Sequence, residues 1–147
     1  MTIERFTGDY DFLSNFYPCR IIINEHWYTT AEHAFQAQKA TSEGERNWVA
    51  TAPTPGGAKQ RGKKVRLRDD WNKVRLDVMY QVVEAKFRQN PDLANRLIAT
   101  KFEELVEGNT WNDKFWGVCN DKGENHLGKI LMKVRHVLFT EIRNSEA

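Results

Sequence analysis

The segment Thr30-Ala-Glu-His-Ala-Phe-Gln-Ala-Gln-Lys39 carries a carboxylate, a ring, an amide and an amine at helical spacing. Positions i, i+3, i+4 and i+7 of a helix share one face, so Glu32, Phe35, Gln36 and Lys39 stand together. The other sides hold Ala31, Ala34, Ala37 and Ala40, small enough for close packing. A ring set among polar groups suits a ligand better than bulk water. The plainer reading of Glu32 is structural. Thr29 with Glu32 three residues on has the capping-box form, in which the N3 glutamate is worth up to roughly 1 kcal/mol to the helix. On pattern alone, Glu32 is closer to a cap than to a catalyst.

A second carboxylate, Asp113, lies between Trp111 and Phe115-Trp116. Apolar surroundings disfavour a carboxylate's charged form, as a general acid or proton-sharing base requires. The commoner case is a turn aspartate. Two carboxylates from separate elements suit glycosidic cleavage, where one stabilises an oxocarbenium-like transition state or activates water. Trp71 could stack on a flat base, although its spacing with Val74 and Val78 favours core packing. From Lys59 to Arg68 there are six basic residues and no acidic one, which suits either a phosphate site or solvated surface. Gly117, Gly123 and Gly128 permit tight turns, but their spacing is no dinucleotide fingerprint.

These side chains need elements to position them. Residues 20–28 read as two short strands around a tight turn at Asn24-Glu25. A helix capped at Thr29 is predicted to run to about Ala40, and Ser42 with Glu45 starts a second that ends near Pro53. Pro53-Thr-Pro-Gly-Gly57 reads as a loop. Asp69 or Asp70 caps a long helix to about Phe87, with Trp71, Val74, Val78, Val82 and Ala85 on one stripe and Leu76, Met79 and Val83 beside it. Asn90-Pro91 is an N-cap followed by an N1 proline, opening a helix through Leu93, Leu97 and Ile98. Residues 104–107 read as a short strand, and Leu127 to Ile142 as a final amphipathic helix. The fold class expected is α+β, mainly α-helical with a small β element.

The chain has 147 residues, 40% of them hydrophobic, 12% aromatic and 29% charged. That length fits one domain over residues 1–147. No long apolar run is present and the first residues lack a secretory signal's pattern, so a soluble cytoplasmic protein with no membrane association is expected. Cys19 and Cys119 form no C-x-x-C pair and the four histidines have no ligand spacing, so no metal is implied. A net charge of +2 is too small for a whole-surface case for nucleic acid.

Taken in order, Leu13-Ser-Asn-Phe-Tyr-Pro18, Ala31-Glu-His-Ala-Phe-Gln-Ala-Gln-Lys39, Lys59-Gln-Arg-Gly62, Trp71, Asp113-Lys-Phe-Trp-Gly117 and Gly123-Glu-Asn-His-Leu-Gly-Lys-Ile-Leu-Met-Lys-Val-Arg135 resemble the NADAR family, also called YbiA-like. The resemblance spans nearly the whole chain. It implies a mostly helical α+β domain with N-glycosidase activity and no cofactor. Substrates in the family are phosphorylated early riboflavin-pathway intermediates or, in other members, ADP-ribose attached to guanine, including in DNA. Carried over by motif, Glu32 is the catalytic carboxylate, Trp71 a stacking or positioning residue and Asp113 a second acidic participant. Ser14, Asn15, Phe16, Phe35, Gln36, Lys39, Arg61, Gly62, Trp116, Gly117 and Asn125 line the pocket. The resemblance reverses the ranking for Glu32 without removing the cap: a helix N-terminus would hold its carboxylate ionised and fixed in direction. Where relatives often carry a glycine-rich stretch after Trp-Gly, this chain has Val118-Cys119-Asn120, so substrate choice transfers least. The competing readings are a non-catalytic module for ADP-ribose or NAD-derived nucleotides and a nucleic-acid reader using residues 59–68, which predicts steep salt dependence.

Overall fold

The structure is a computed structural model that describes residues 1–146. In chain order the elements are β1 (Thr2–Ile3), a 3-10 segment (Gly8–Leu13), β2 (Pro18–Ile23), β3 (His26–Thr30), α1 (Ala31–Ala37), α2 (Glu43–Ala50), α3 (Pro55–Gly62), α4 (Trp71–Gln89), α5 (Pro91–Ala99), β4 (Glu104–Leu105) and α6 (His126–Glu146). Helix dominates and the strands are few, as the α+β reading expects. The chain divides into two compact units, one of residues Asn15–Asn90 and one of Met1–Ser14 with the chain from Pro91 onward.

In the unit Asn15–Asn90, β2 and β3 pair antiparallel with Ile21 opposite Tyr28 and Ile23 opposite His26. Asn24 (φ 50°) and Glu25 (φ 70°) make the turn between them. Positive φ at both central positions gives a turn whose twist matches the strands. The chain enters α1 directly from β3, and this moves the cap by one residue. Thr29 still belongs to the strand, so Thr30 is the N-cap and its hydroxyl accepts the His33 amide at 3.0 Å. Glu32 therefore occupies the second helical position and is not the capping-box glutamate. The helix also ends at Ala37, short of Ala40, because Ala40 leaves it to bridge with Leu67.

Ser42 caps α2 through the Glu45 amide, as its spacing predicts. The predicted loop at residues 53–57 is half wrong. Thr54 accepts the Gly57 amide at 2.9 Å and Pro55 takes the first helical position, where its missing N–H costs nothing, so α3 begins there. Asp70 stands at the N-cap of α4 without a side-chain cap bond, since Arg68 holds its carboxylate through Nε at 2.6 Å and Nη2 at 2.9 Å.

The long helix α4 packs on β2 and α1. Its buried side chains are Trp71, Val78, Met79, Val82, Val83, Lys86 and Phe87. Burying an apolar side chain of the Val or Phe type contributes about 1.5–3 kcal/mol, so this face anchors the unit. Leu76, expected on the flanking stripe, is exposed instead. At the end of α4 the Gln89 amide bonds both the N–H and the C=O of Ile22, and Asn90 Nδ2 donates to Arg20 O. Side-chain amides thereby satisfy the open edge of β2.

In the other unit β1 and β4 pair in parallel, Ile3 opposite Leu105, and the expected strand at 104–107 is limited to its first two residues. Helices α5 and α6 pack together. Leu127, Leu131, Val134 and Leu138 form the buried stripe of α6, whereas Ile142 is exposed. Buried Arg135 reaches across to donate to Thr100 Oγ1 at 2.8 Å.

Candidate active site

Within Asn15–Asn90, the residues expected on one face of α1 do stand together. Glu32 is 8% exposed and its Oε1 accepts from Gln36 Nε2 at 2.9 Å. An ionised carboxylate only accepts, so the NH2 end of Gln36 faces it and Oε1 points away, buried and without a hydrogen-bond partner among the described residues. Gly62 of α3 makes this arrangement fit. A Cβ at that position would overlap Gln36 Oε1 and stand 2.9 Å from Cδ. Phe35 and Trp71 form a tilted ring pair with centroids 5.2 Å apart, and the Lys39 ammonium lies 5.8 Å from the Trp71 ring, within cation–π range. Trp71 thus has both a packed face against Phe35 and a cation over its ring.

Burial raises the Glu32 carboxyl above its ordinary value, opposed by the Gln36 bond and by the charges of Lys59 and Lys39. Desolvation is the largest of these influences, so burial makes the carboxyl a better proton acceptor than a solvated glutamate. Burial likewise lowers Lys39, with Glu32 opposing. Burial moves both groups toward their neutral forms, and their mutual attraction opposes it.

The backbone around Glu32 is pinned on both sides. Its amide donates to Asn15 O at 2.9 Å, and buried Asn15 donates through Nδ2 to Met79 Sδ at 3.4 Å. Next to it, fully buried His33 spans from Thr30 to Ala52 O, 2.9 Å from Nε2. A carbonyl only accepts, so Nε2 carries the proton and Nδ1 accepts the Thr30 hydroxyl at 2.7 Å. Phe16 is 45% exposed. Arg61, expected in the pocket, has Nη1 2.8 Å from Trp48 O and its guanidinium over the Trp48 ring at 5.2 Å, which holds α3 against α2.

The remaining predicted residues belong to the other unit. Ser14 closes the 3-10 segment, its amide donating to Asp11 O. Asp113 Oδ1 accepts the amides of Phe115 at 3.1 Å and Trp116 at 2.9 Å. Asn109 clamps the same turn, accepting the Asp113 amide on Oδ1 at 3.0 Å and donating through Nδ2 to Asp113 O at 2.9 Å. Gly117 lies so close to Glu107 that any Cβ would collide with its side chain and carbonyl. Buried Asn125, at φ 53°, accepts the Glu107 amide and donates to Leu105 O. His126 packs against Phe115 with the rings tilted by 50° and centroids 4.5 Å apart. This loop is thus a built scaffold, with Asp113 holding its tightest turn.

A carboxylate, a ring, an amide and a lysine of the α1 segment, with Trp71 of α4 against the ring, are parts the family resemblance called for, and the cross-braced aromatic loop elsewhere in the chain holds others. The NADAR domain model matches residues 4–139, through both units. The chain belongs to the NADAR family. It is 38% identical over 138 residues to the N-glycosidase YbiA of Escherichia coli K12, covering 92% of this chain and 86% of that one. A similar match, 38% over 141 residues, links it to an N-glycosidase of Nostoc punctiforme. A riboflavin biosynthesis protein of Vibrio vulnificus is 38% identical over 133 residues, and there this chain spans only 36% of the relative's length. The NMR structure of E. coli YbiA superposes with a TM-score of 0.84 at 35% identity, covering 96% of this chain and 85% of that one. Among the described residues no helix is long and apolar enough to cross a membrane.

Lys59 is the functional-looking residue of this NADAR chain that pattern reading left unassigned within its basic run. With residues 53–57 read as a loop and no helix assigned after them, its face could not be drawn. Thr54 followed by Pro55 is the signal that would have exposed it.

Proposed function

We propose that this NADAR protein is a hydrolase of N-glycosyl bonds, acting on the N-ribosidic bond of a phosphorylated riboside or an ADP-ribosyl conjugate. The observation that carries the reading is a single cluster: the buried Glu32 carboxylate beside the Phe35–Trp71 ring pair, with Lys39 and Lys59 as its counter-charges. The names of the relatives, N-glycosidase in two cases and riboflavin biosynthesis protein in a third, support the bond type and a phosphorylated riboside substrate.

In the reaction the C1′–N bond breaks, its electron pair leaves with nitrogen, which takes up a proton, and water adds to the ribosyl cation and gives up one. The Glu32 carboxylate stabilises that cation and takes the proton from the attacking water, a role that the raised proton affinity of a desolvated carboxyl favours. Phe35 and Trp71 give the flat base or sugar an apolar surface. Within Asn15–Asn90 the proposed binding residues are Asn15, Phe16, Gln36, Lys39, Arg61 and Gly62; for the other unit, the family resemblance is what proposes Ser14, Trp116, Gly117 and Asn125 as binding residues and Asp113 as a second participant in proton transfer.

The test offers the protein ADP-ribosyl-guanosine DNA and phosphorylated aminopyrimidine ribosides side by side, with release scored by mass. The expected result is a free base or amine with its ribose product from one of them, and loss of that turnover in a folded Glu32→Gln variant. A fully active variant overturns the mechanism. Binding without product would instead favour a nucleotide-binding module.

A further inference from the structure

A cleft of about 450 Å³ opens on the unit Asn15–Asn90, lined among others by Asn24, His26, Gln38, Thr41, Arg46 and Arg68. These come from the β2–β3 turn, the end of α1, the start of α2 and the segment before α4. None belongs to the Glu32 face. Residues 32, 35, 36 and 39 share one side of the α1 segment, and Gln38 lies off it.

The lining is polar. Its residues carry two guanidiniums, two carboxamides, an imidazole and the hydroxyls of Thr41 and Tyr28, and none is acidic. Gln38 already donates through Nε2 to Ala34 O at 2.9 Å and to the Tyr28 hydroxyl at 3.4 Å, which leaves its carbonyl oxygen as an acceptor. Both guanidiniums are held by carboxylates. Arg46 Nη1 bonds Glu43 Oε2 at 3.2 Å, and the same carboxylate holds His26 Nε2 at 3.0 Å. Arg68 gives its Nε–Nη2 edge to Asp70, while its own amide donates to Lys39 O at 3.0 Å. A planar guanidinium has a second edge, so a group fixed this way is set in orientation before any ligand arrives.

We propose that this cleft is a second ligand site that takes a small phosphomonoester. Arginine forks match phosphate oxygens, the amides and hydroxyl match a sugar's hydroxyls, and the volume lies in the range of about 300–1,000 Å³ common to small-molecule sites. The site also divides the basic run of residues 59–68. Arg68 serves the cleft, whereas Lys59 and Lys63 act on the Glu32–Lys39 pair.

The test titrates the full nitrogen-15-labelled chain with ribose 5-phosphate and, separately, inorganic phosphate, against ribose and sodium chloride at matched ionic strength. Saturable amide shifts are expected at Asn24, His26, Gln38 and Thr41 with both phosphates, tighter for the ester and absent with ribose or salt. Arg46→Gln and Arg68→Gln should each weaken binding about tenfold, the loss of one charged hydrogen bond. Should Arg68→Gln unfold for want of its Asp70 pairing, Arg46→Gln and Thr41→Val read the same site. Glu32→Gln should bind unchanged, which separates this proposal from the hydrolase reading. Shifts that follow ionic strength alone, that map to residues 59–64, or that keep their affinity in Arg46→Gln overturn it.

Discussion

Replacing Gly62 by Ala should destabilise the protein and impair the Glu32 site together, although a helical Gly→Ala change ordinarily stabilises. Gly62 is the last residue of α3, where alanine gains at most about 1 kcal/mol of helix propensity. Against this, the new Cβ overlaps Gln36 Oε1 and stands 2.9 Å from Cδ and 3.1 Å from Cβ of the same side chain. Rotating the terminal amide cannot relieve the last contact, so the whole Gln36 side chain must move. Overpacking of this kind costs about 1–3 kcal/mol. Movement also withdraws Nε2 from Glu32, a hydrogen bond to a charged group worth about 1.5–3 kcal/mol. The net is about 1.5–5 kcal/mol, or about 3–20 °C of melting temperature for a chain of this size. Urea unfolding by tryptophan fluorescence and hydrolysis by mass should be measured on the same sample. Gln36→Ala in the Gly62→Ala background should recover part of the stability, a non-additivity that a general folding defect would lack. A Gly62→Ala protein as stable and as active as the parent refutes the reasoning.

Three further outcomes follow from single contacts. Burial raises Glu32 above its ordinary value of 4.5, so the folded state holds that proton more tightly than the unfolded chain. This group's contribution is therefore most favourable below pH 4.5 and declines as pH rises to the folded value. Across that window the stability of Glu32→Gln relative to the parent should rise with pH and then level off; urea titrations in which it falls would contradict the burial account. Asp113→Asn keeps the oxygen that accepts the Phe115 and Trp116 amides but cannot carry a proton, whereas Asp113→Ala loses both bonds and should cost about 1–3 kcal/mol. A fall in kcat with Asp113→Asn at unchanged stability marks proton transfer, and full activity marks a loop residue only. Thr30→Ala should cost about 1–2 kcal/mol as a lost cap, with Thr29→Ala within about 0.5 kcal/mol; equal losses in thermal unfolding would return the cap to Thr29.

Much of the architecture is legible from local chemistry. Ser42 with Glu45, the turn at Asn24-Glu25, Trp71 through Phe87 and the Leu127–Leu138 stripe all form as their spacing predicts, since each signal lies within one element. The misses share a cause. Two adjacent threonines offer the same hydroxyl, and only the length of β3 decides that Thr30 caps α1. Pro55-Gly-Gly57 has poor helix propensity, yet it begins α3 because a cap and an N1 proline start it and packing against α1 and α2 sustains it. Leu76 and Ile142 continue apolar stripes beyond the point where a partner covers them.

The Glu32 helix divides along the same line. Sequence by itself determined the family and the side chains sharing one face, because periodicity is a property of the local chain. Tertiary structure alone decided that Glu32 is buried and released from capping, with Gly62 leaving room for its Gln36 partner and Lys59 acting as a counter-charge. Desolvation and electrostatic pairing depend on groups that are distant along the chain and close in space, and no local pattern carries them.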